Sequence, residues 1–435
     1  MTFSVEVFQN EFLAEDARNV HAIVKVTSTG GQGLAPTAEK AIVLVVDTSG
    51  SMDMPSSKIR SARHGAAAGI EMLPDGTRFA LVAGTHEASV IYPRSGEGLA
   101  IASQATRAEA AAAALRLWAE GGTAISTWID LARELLERHE GCIRLAYLLT
   151  DGRNEEGAPD VLDAALARAE EVFQCSARGV GDDWSVLELR KISSALLGDV
   201  GMIPEPERMK EDFVEFMDRA IGRTIADVRL RVWTPKVSTV DLICQVDPTI
   251  EDLTAKGMAV PPQSWDYPTG AWAGQESRQY HICIDVPPSA VGVQKKVADV
   301  GVVVGNDVVA REMVKAVWTD DVELSTKINR LVAHYTNQEE LAEAVEHAQE
   351  ARERGDEDEA TKLYQRVADL AVEADRPDLL KLVEKVAEME LDGEGRPTVK
   401  NIRLDQAPGS GNALGVDSRR TTRIERPSDP EEPTG

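Results

Sequence analysis

The first alternation of apolar and polar residues lies at the start of the chain. Phe3, Val5 and Val7 share one side, and Val20, Ala22, Val24 and Val26 share another. A period of two marks half-buried strands. The Gly/Pro/Thr-rich stretch TSTGGQGLAPTAE follows and reads as a linker. The pattern then changes. Ala41–Val46 is an unbroken apolar run, as expected of a strand covered on both faces. From there, helix-like and strand-like stretches alternate. Helices are expected over 58–73, 108–119, 125–139, 159–171, 184–197 and 209–221. Strands are expected over 78–84, 88–92, 143–150 and 172–181. This order predicts an α/β, doubly wound, mostly parallel Rossmann-like sheet with helices on both faces over residues 40–222.

From about Ile225 the helical signal stops. Val228, Leu230 and Val232 alternate with arginines. Tyr280, Ile282 and Ile284 alternate with polar residues, and 300–304 and 312–318 read as further strands. Proline-rich turns such as VPPQSWDYP separate them, and residues 225–320 read as a β-sandwich. The strands of residues 1–35 are expected to join it, because an inserted domain leaves its two ends close together. Helical periodicity returns at Ser325 and runs to Met389, which predicts a helical hairpin or three-helix unit over 325–390. No repeat period appears. Residues 405–435 are rich in Gly, Pro, Ser, Arg and Glu and are expected to form a disordered tail.

Composition narrows the function. Hydrophobic residues make up 43 % of the chain, enough for real cores, but aromatics only 5 %. The formal net charge is −26, from 47 basic and 73 acidic residues. That disfavours nucleic acid and anionic membranes and favours basic partners and cations. The N-terminus has no basic and apolar leader pattern, and no run of apolar residues is long enough to span a bilayer. Cys142, Cys175, Cys244 and Cys283 form no CxxC pair and read as buried free thiols of a reducing, cytoplasmic protein. The histidines are scattered, with no HxxxH or HExxH spacing.

The chemistry concentrates at strand ends. The first apolar strand runs into VVDTSGSM, which supplies Asp47, Ser49 and Ser51. The strand ending at Thr150 runs into TDGR, which supplies Asp151, and GGTAIST places Thr123 at the start of a helix. Ligands of open α/β sheets bind outside the carboxyl ends of the strands. Two carboxylates and three hydroxyls are hard oxygen donors, which suit Mg²⁺, Mn²⁺ or Ca²⁺ and argue against zinc or copper. Asp53 reads as a solvated loop charge. A phosphatase with an Asp nucleophile needs a second Asp where Ser49 stands. A serine hydrolase needs G-x-S-x-G, and neither GxxxxGK[ST] nor GxGxxG occurs.

The set DxSxS, a Thr after Gly-Gly, and an Asp opening a DG turn resembles the metal-ion-dependent adhesion site of the von Willebrand factor A (VWA) family, over about residues 40–222. The resemblance implies that Ser49, Ser51 and Thr123 are direct hydroxyl ligands. It implies that Asp47 and Asp151 act directly or through water, and that one position stays open for a carboxylate of a protein partner. The expected function is therefore a metal-dependent protein-interaction module or scaffold, not an enzyme. A metal-dependent hydrolase or phosphoesterase at the same site is the alternative. The layout also resembles, more loosely, bacterial cytoplasmic VWA proteins and inter-α-inhibitor heavy-chain-like architectures. In the tail, Thr421 with Ile424 three residues on resembles a phosphothreonine ligand of forkhead-associated domains. The alternative is an unmodified, solubilising tail.

Overall fold

The computed structural model describes residues 2–30, 38–154, 159–403 and 408–423. The linker stretch lies largely outside the described residues. The chain opens with β1 (Thr2–Gln9), β2 (Phe12–Ala14) and β3 (Asn19–Thr29). Next come β4 (Lys40–Asp47), α1 (Ser57–Glu71), β5 (Arg78–Gly84), β6 (Ser89–Tyr92), β7 (Ala100–Ile101), α2 (Gln104–Ala114), α3 (Ile125–Leu136) and β8 (Ile143–Thr150). After them follow α4 (Pro159–Ala169), β9 (Gln174–Val180), α5 (Val186–Ala195), β10 (Val200–Ile203) and α6 (Met209–Gly222). The sheet of this region has the order β10-β9-β8-β4-β5-β6, with β7 beside β5. β10, β9, β8, β4 and β5 are parallel, and β6 is an antiparallel edge. Both faces of β4 are buried, which is why its sequence is apolar without alternation. Ile42, Leu44 and Val46 pack toward α1, α2 and α6, whereas Ala41, Val43 and Val45 pack toward α3, α4 and α5.

Beyond α6 lie β11 (Arg223–Ile225), β12 (Val228–Trp233), β13 (Thr239–Asp247), β14 (Glu251–Asp252), β15 (Met258–Val260), β16 (Ser264–Pro268), β17 (Trp272–Ala273), β18 (Glu276–Asp285), β19 (Gln294–Val304) and β20 (Asp307–Thr319). Two large sheets result, β1-β3-β18-β13-β14 and β15-β16-β12-β19-β20-β2, beside the short antiparallel pair β11-β17. β3 pairs with β18 over ten residues, from Asn19 against Asp285 to Ser28 against Glu276. The two inner faces, including Val24, Leu230, Ile282, Val300 and Trp318, form one core. β16 runs through the stretch expected to be a proline-rich turn. Its Asp266 is buried and takes ion pairs from both Arg229 and Arg231, so the polar residue that looks turn-like is a paired strand residue.

The last region holds α7 (Val322–Ser325), α8 (Arg330–Glu353), α9 (Glu357–Glu373), α10 (Pro377–Val386), β21 (Ala387–Leu391), β22 (Pro397–Ile402) and α11 (Pro408–Ser418). α8 covers the outer face of the β3/β18/β13 sheet, where Ile23, Cys244 and Val246 meet Val332 and Tyr335. Two expectations need correction. The last helix does not reach Met389: it stops at Val386, and 387–391 pairs with 397–402 as a hairpin around Gly395, whose φ is +81°. Disorder from residue 405 is also wrong for 408–423. Helix α11 is buried against α8 and α10, with Leu414 in their core. Its glycines allow the approach, since a Cβ on Gly415 would stand 2.7 Å from Gln349 Nε2 and one on Gly411 2.6 Å from Arg352 Nη1. Residues 424–435 lie outside the described residues. Among the described residues, no helix is long and apolar enough to cross a membrane, and all four cysteines are free.

Candidate metal-binding edge

The carboxyl ends of β4, β8 and β9 open on one edge of the parallel sheet, and the loops that follow them are tied together. Asp47, the last residue of β4, is fully buried. One carboxylate oxygen accepts the backbone N–H of Ser49 at 2.7 Å, and the other accepts the Thr150 hydroxyl at 2.7 Å. The Gly50 N–H donates to the Gly121 carbonyl at 2.9 Å and the Glu120 N–H to the Thr48 carbonyl at 2.7 Å. These bonds bring the loop of Thr123 beside the loop of the two serines. Gly121 has φ +80°, and a Cβ there would stand 2.8 Å from His86 Nδ1, so the turn requires glycine.

The side chains converge. The Ser49 and Ser51 hydroxyls are 2.9 Å apart, and Ser51 donates to Asp151 Oδ1 at 2.6 Å. A Cβ on Gly152 would stand 3.6 Å from the Thr123 hydroxyl and 3.8 Å from that of Ser51, so both face the turn that follows Asp151. Ser49, Ser51, Thr123, Asp151 and the backbone of Gly121, Gly122 and Gly152 line a cavity of about 190 Å³, with Arg153 and Asp183 on its wall. Asp47 stands behind the serines as their anchor. Burial pushes the Asp47 carboxyl up to about 6, and the neighbouring Asp151 charge adds to this, against the hydrogen bonds from Ser49 and Thr150.

Three residues of this edge escaped the sequence reading. Lys58, in the first turn of α1, is buried and its ammonium sits 2.6 Å from Asp151 Oδ2. Nothing in the spacing of a lysine at a helix start points inward. Arg153 is half-exposed and lies 3.9 Å from Glu353 at the end of α8. Asp183 follows β9, the strand next to β8, so the rule that found Asp47 and Asp151 reaches it too. Among the described residues, no group of three or more His, Cys, Asp or Glu side chains gathers as a metal site. What gathers here is two carboxylates and three hydroxyls, a set of hard oxygens that fits Mg²⁺, Mn²⁺ or Ca²⁺.

Thr421 stands elsewhere. Its hydroxyl donates to the Pro248 carbonyl at 3.2 Å, Arg423 pairs with buried Asp247 at 2.7 Å, and Arg420 bridges to Thr249. This segment is docked on the β13 end of the sandwich, and Ile424 lies outside the described residues. A second polar group lies between α8 and the sheet. His21 Nδ1 is 3.0 Å from His281 Nε2, and His281 Nδ1 is 2.6 Å from Glu339.

Residues 42–154 match the model of the von Willebrand factor type A domain. The whole chain is similar to a von Willebrand factor type A protein from Catenulispora acidiphila of known structure. The two share 39 % identity over 97 % of each chain, with a TM-score of 0.88. The ArnB paralog VWA2 from Sulfolobus acidocaldarius shares the fold, at 14 % identity over 96 % of this chain and 98 % of that one, with a TM-score of 0.58. No curated protein matches the sequence.

Proposed function

Because the chain belongs to the von Willebrand factor type A family, whose domains are common protein-interaction modules, we propose that it is a metal-dependent interaction module or scaffold that takes a partner's Asp or Glu. The supporting observation is the meeting of Ser49, Ser51, Thr123 and Asp151 around one small cavity, with Asp47 fixed behind them. In this reading Ser49, Ser51 and Thr123 supply hydroxyl ligands, and Asp47 and Asp151 supply negative charge directly or through water. A bound Mg²⁺, or Mn²⁺ or Ca²⁺, supplies a positive centre for a carboxylate oxygen.

The chain's own residues prepare that centre. The Thr150 hydroxyl and the Ser49 N–H hold both Asp47 oxygens, so the carboxylate does not swing. Asn154 accepts the Ile125 N–H at 2.9 Å, which fixes the turn after Asp151 to the start of α3 beside Thr123. Such rigid support around ligands sets metal affinity. The hydrolase alternative has less behind it: the Ser49 hydroxyl bonds to that of Ser51, which donates to Asp151, and no imidazole lines the cavity. A reducing, cytoplasmic setting remains part of the proposal and rests on the four free thiols. Recognition by a forkhead-associated partner would require Thr421 to be released from Pro248 before a kinase could modify it.

Pull-down from the source cell with Mg²⁺ and with EDTA tests the interaction. Partners retained only with Mg²⁺, and lost with Asp47→Ala, are expected. Equal retention in EDTA contradicts the reading, and phosphoesterase turnover abolished by Asp47→Ala would favour the enzyme.

A further inference from the structure

We propose that Asp183 is a built-in carboxylate for the cation of this edge, and that it competes there with the carboxylate of a partner. The inference rests on the metal reading above and adds a regulator to it.

Buried charges set the balance at this edge. Asp47 and Asp151 are both fully buried, and Lys58 stands 2.6 Å from Asp151 Oδ2. The lysine cancels one of the two carboxylates. A divalent cation therefore leaves the edge with one net positive charge, in a place where two of the counterions cannot move. Arg153 on the wall is paired with Glu353, 3.9 Å away, and leaves this balance unchanged. One more carboxylate is needed for neutrality, and the edge already has a candidate. Asp183 lines the same cavity, is exposed, and has no hydrogen bond or ion pair among the described residues.

Its place is set by both neighbours. Trp184 is fully buried, with its indole N–H donating to the Gly181 carbonyl at 2.9 Å. A Cβ on Gly179 would stand 2.0 Å from the Trp184 ring, so the ring fills the room that glycine leaves. Asn412 of α11 donates to the carbonyls of Asp182 at 3.3 Å and Trp184 at 2.8 Å. A Cβ on Gly409 would stand 1.7 Å from Asp182 Oδ1, so α11 abuts this loop directly. The backbone on each side of Asp183 is clamped, while the carboxylate between is free to turn to the cation or away from it. Asp183 on the cation satisfies the charge and lowers the draw on an outside carboxylate. A partner must displace it.

The test uses the full chain with Mn²⁺ as probe, read by electron paramagnetic resonance for affinity and by water-proton relaxation for exchangeable water on the ion. Asp183→Asn keeps the shape of an exposed side chain. It is expected to weaken Mn²⁺ by about tenfold, in the range that outer ligands command, and to raise the water-proton relaxation. Acetate is then expected to reverse that rise at a concentration at least about threefold lower than in wild type. Asp182→Asn is the control and is expected to behave as wild type. If Asp183→Asn binds Mn²⁺ like wild type with unchanged relaxation, while Asp47→Ala loses binding, the metal reading stands and Asp183 has no part in it. If wild type itself does not bind Mn²⁺, both fall together.

Discussion

At the scale of single residues, the edge is a balance of buried charges. Lys58 and Asp151 are nearly inaccessible and 2.6 Å apart. Removing one partner of a buried pair costs about 3–5 kcal/mol, because the other charge is left without compensation. Lys58→Met is therefore expected to lower the melting temperature in EDTA. Added Mg²⁺ is expected to narrow the gap to wild type, since the cation replaces the lost positive charge. Equal melting in EDTA would show that the pair is not a structural one. His21 gives a pH signature of its own. Burial first, and the neighbouring His281 second, lower its pKa below 6.5, while Glu339 works in the opposite direction. The folded state thus resists protonation that the unfolded state accepts. Stability is intact above pH 6.5 and is lost as the pH falls below it toward the folded value. His21→Gln is expected to lose less stability than wild type between pH 7.5 and 5.5, measured by urea denaturation. A parallel loss in both proteins contradicts this.

At the scale of elements, the strands were legible where a period of two or an unbroken apolar run was strong, as in β3 and β4. Elements were hidden where polar or small residues build them. β16 contains Asp266, whose partners Arg229 and Arg231 lie more than thirty residues away, so no local pattern reveals it. α11 reads as PGSGNALGVDS, a sequence of poor helix formers held by tertiary contacts. Leu414 is fully buried, and the Gly415 carbonyl accepts from buried Arg190. Leu414→Ala is expected to cost about 2–5 kcal/mol, as for other large-to-small core changes. Equilibrium urea unfolding reads this directly, and a cost near zero would mean that the helix is not docked in solution. The N-terminal strands offer a second test. β3 lies between β1 and β18, so deleting residues 1–30 exposes a sheet edge and the inner face of the opposite sheet. Limited proteolysis is expected to cut residues 225–320 faster in the deletion. Unchanged resistance would make the two segments independent.

At the scale of the whole molecule, the parallel sheet, the two-sheet β-region and the helices meet so that the C-terminal part touches the edge proposed to bind a cation. Glu353 at the end of α8 accepts from Ser185 at 3.1 Å and faces Arg153, and α11 abuts the loop of Asp183. Asp47, Ser49, Ser51 and Asp151 were legible as neighbours because they end or follow strands of the same sheet, while Thr123, between α2 and α3, is brought to that edge by the Gly50–Gly121 and Thr48–Glu120 hydrogen bonds. Lys58 and the α11 contact were not legible, since both depend on which helix face turns inward. The central claim is that this edge holds one divalent cation. Isothermal calorimetry with Mn²⁺ on wild type and Asp47→Ala tests it most directly. A single site in wild type, weakened at least about tenfold in the variant, is expected. Equal Mn²⁺ affinity in both proteins, or no binding to wild type, would contradict it.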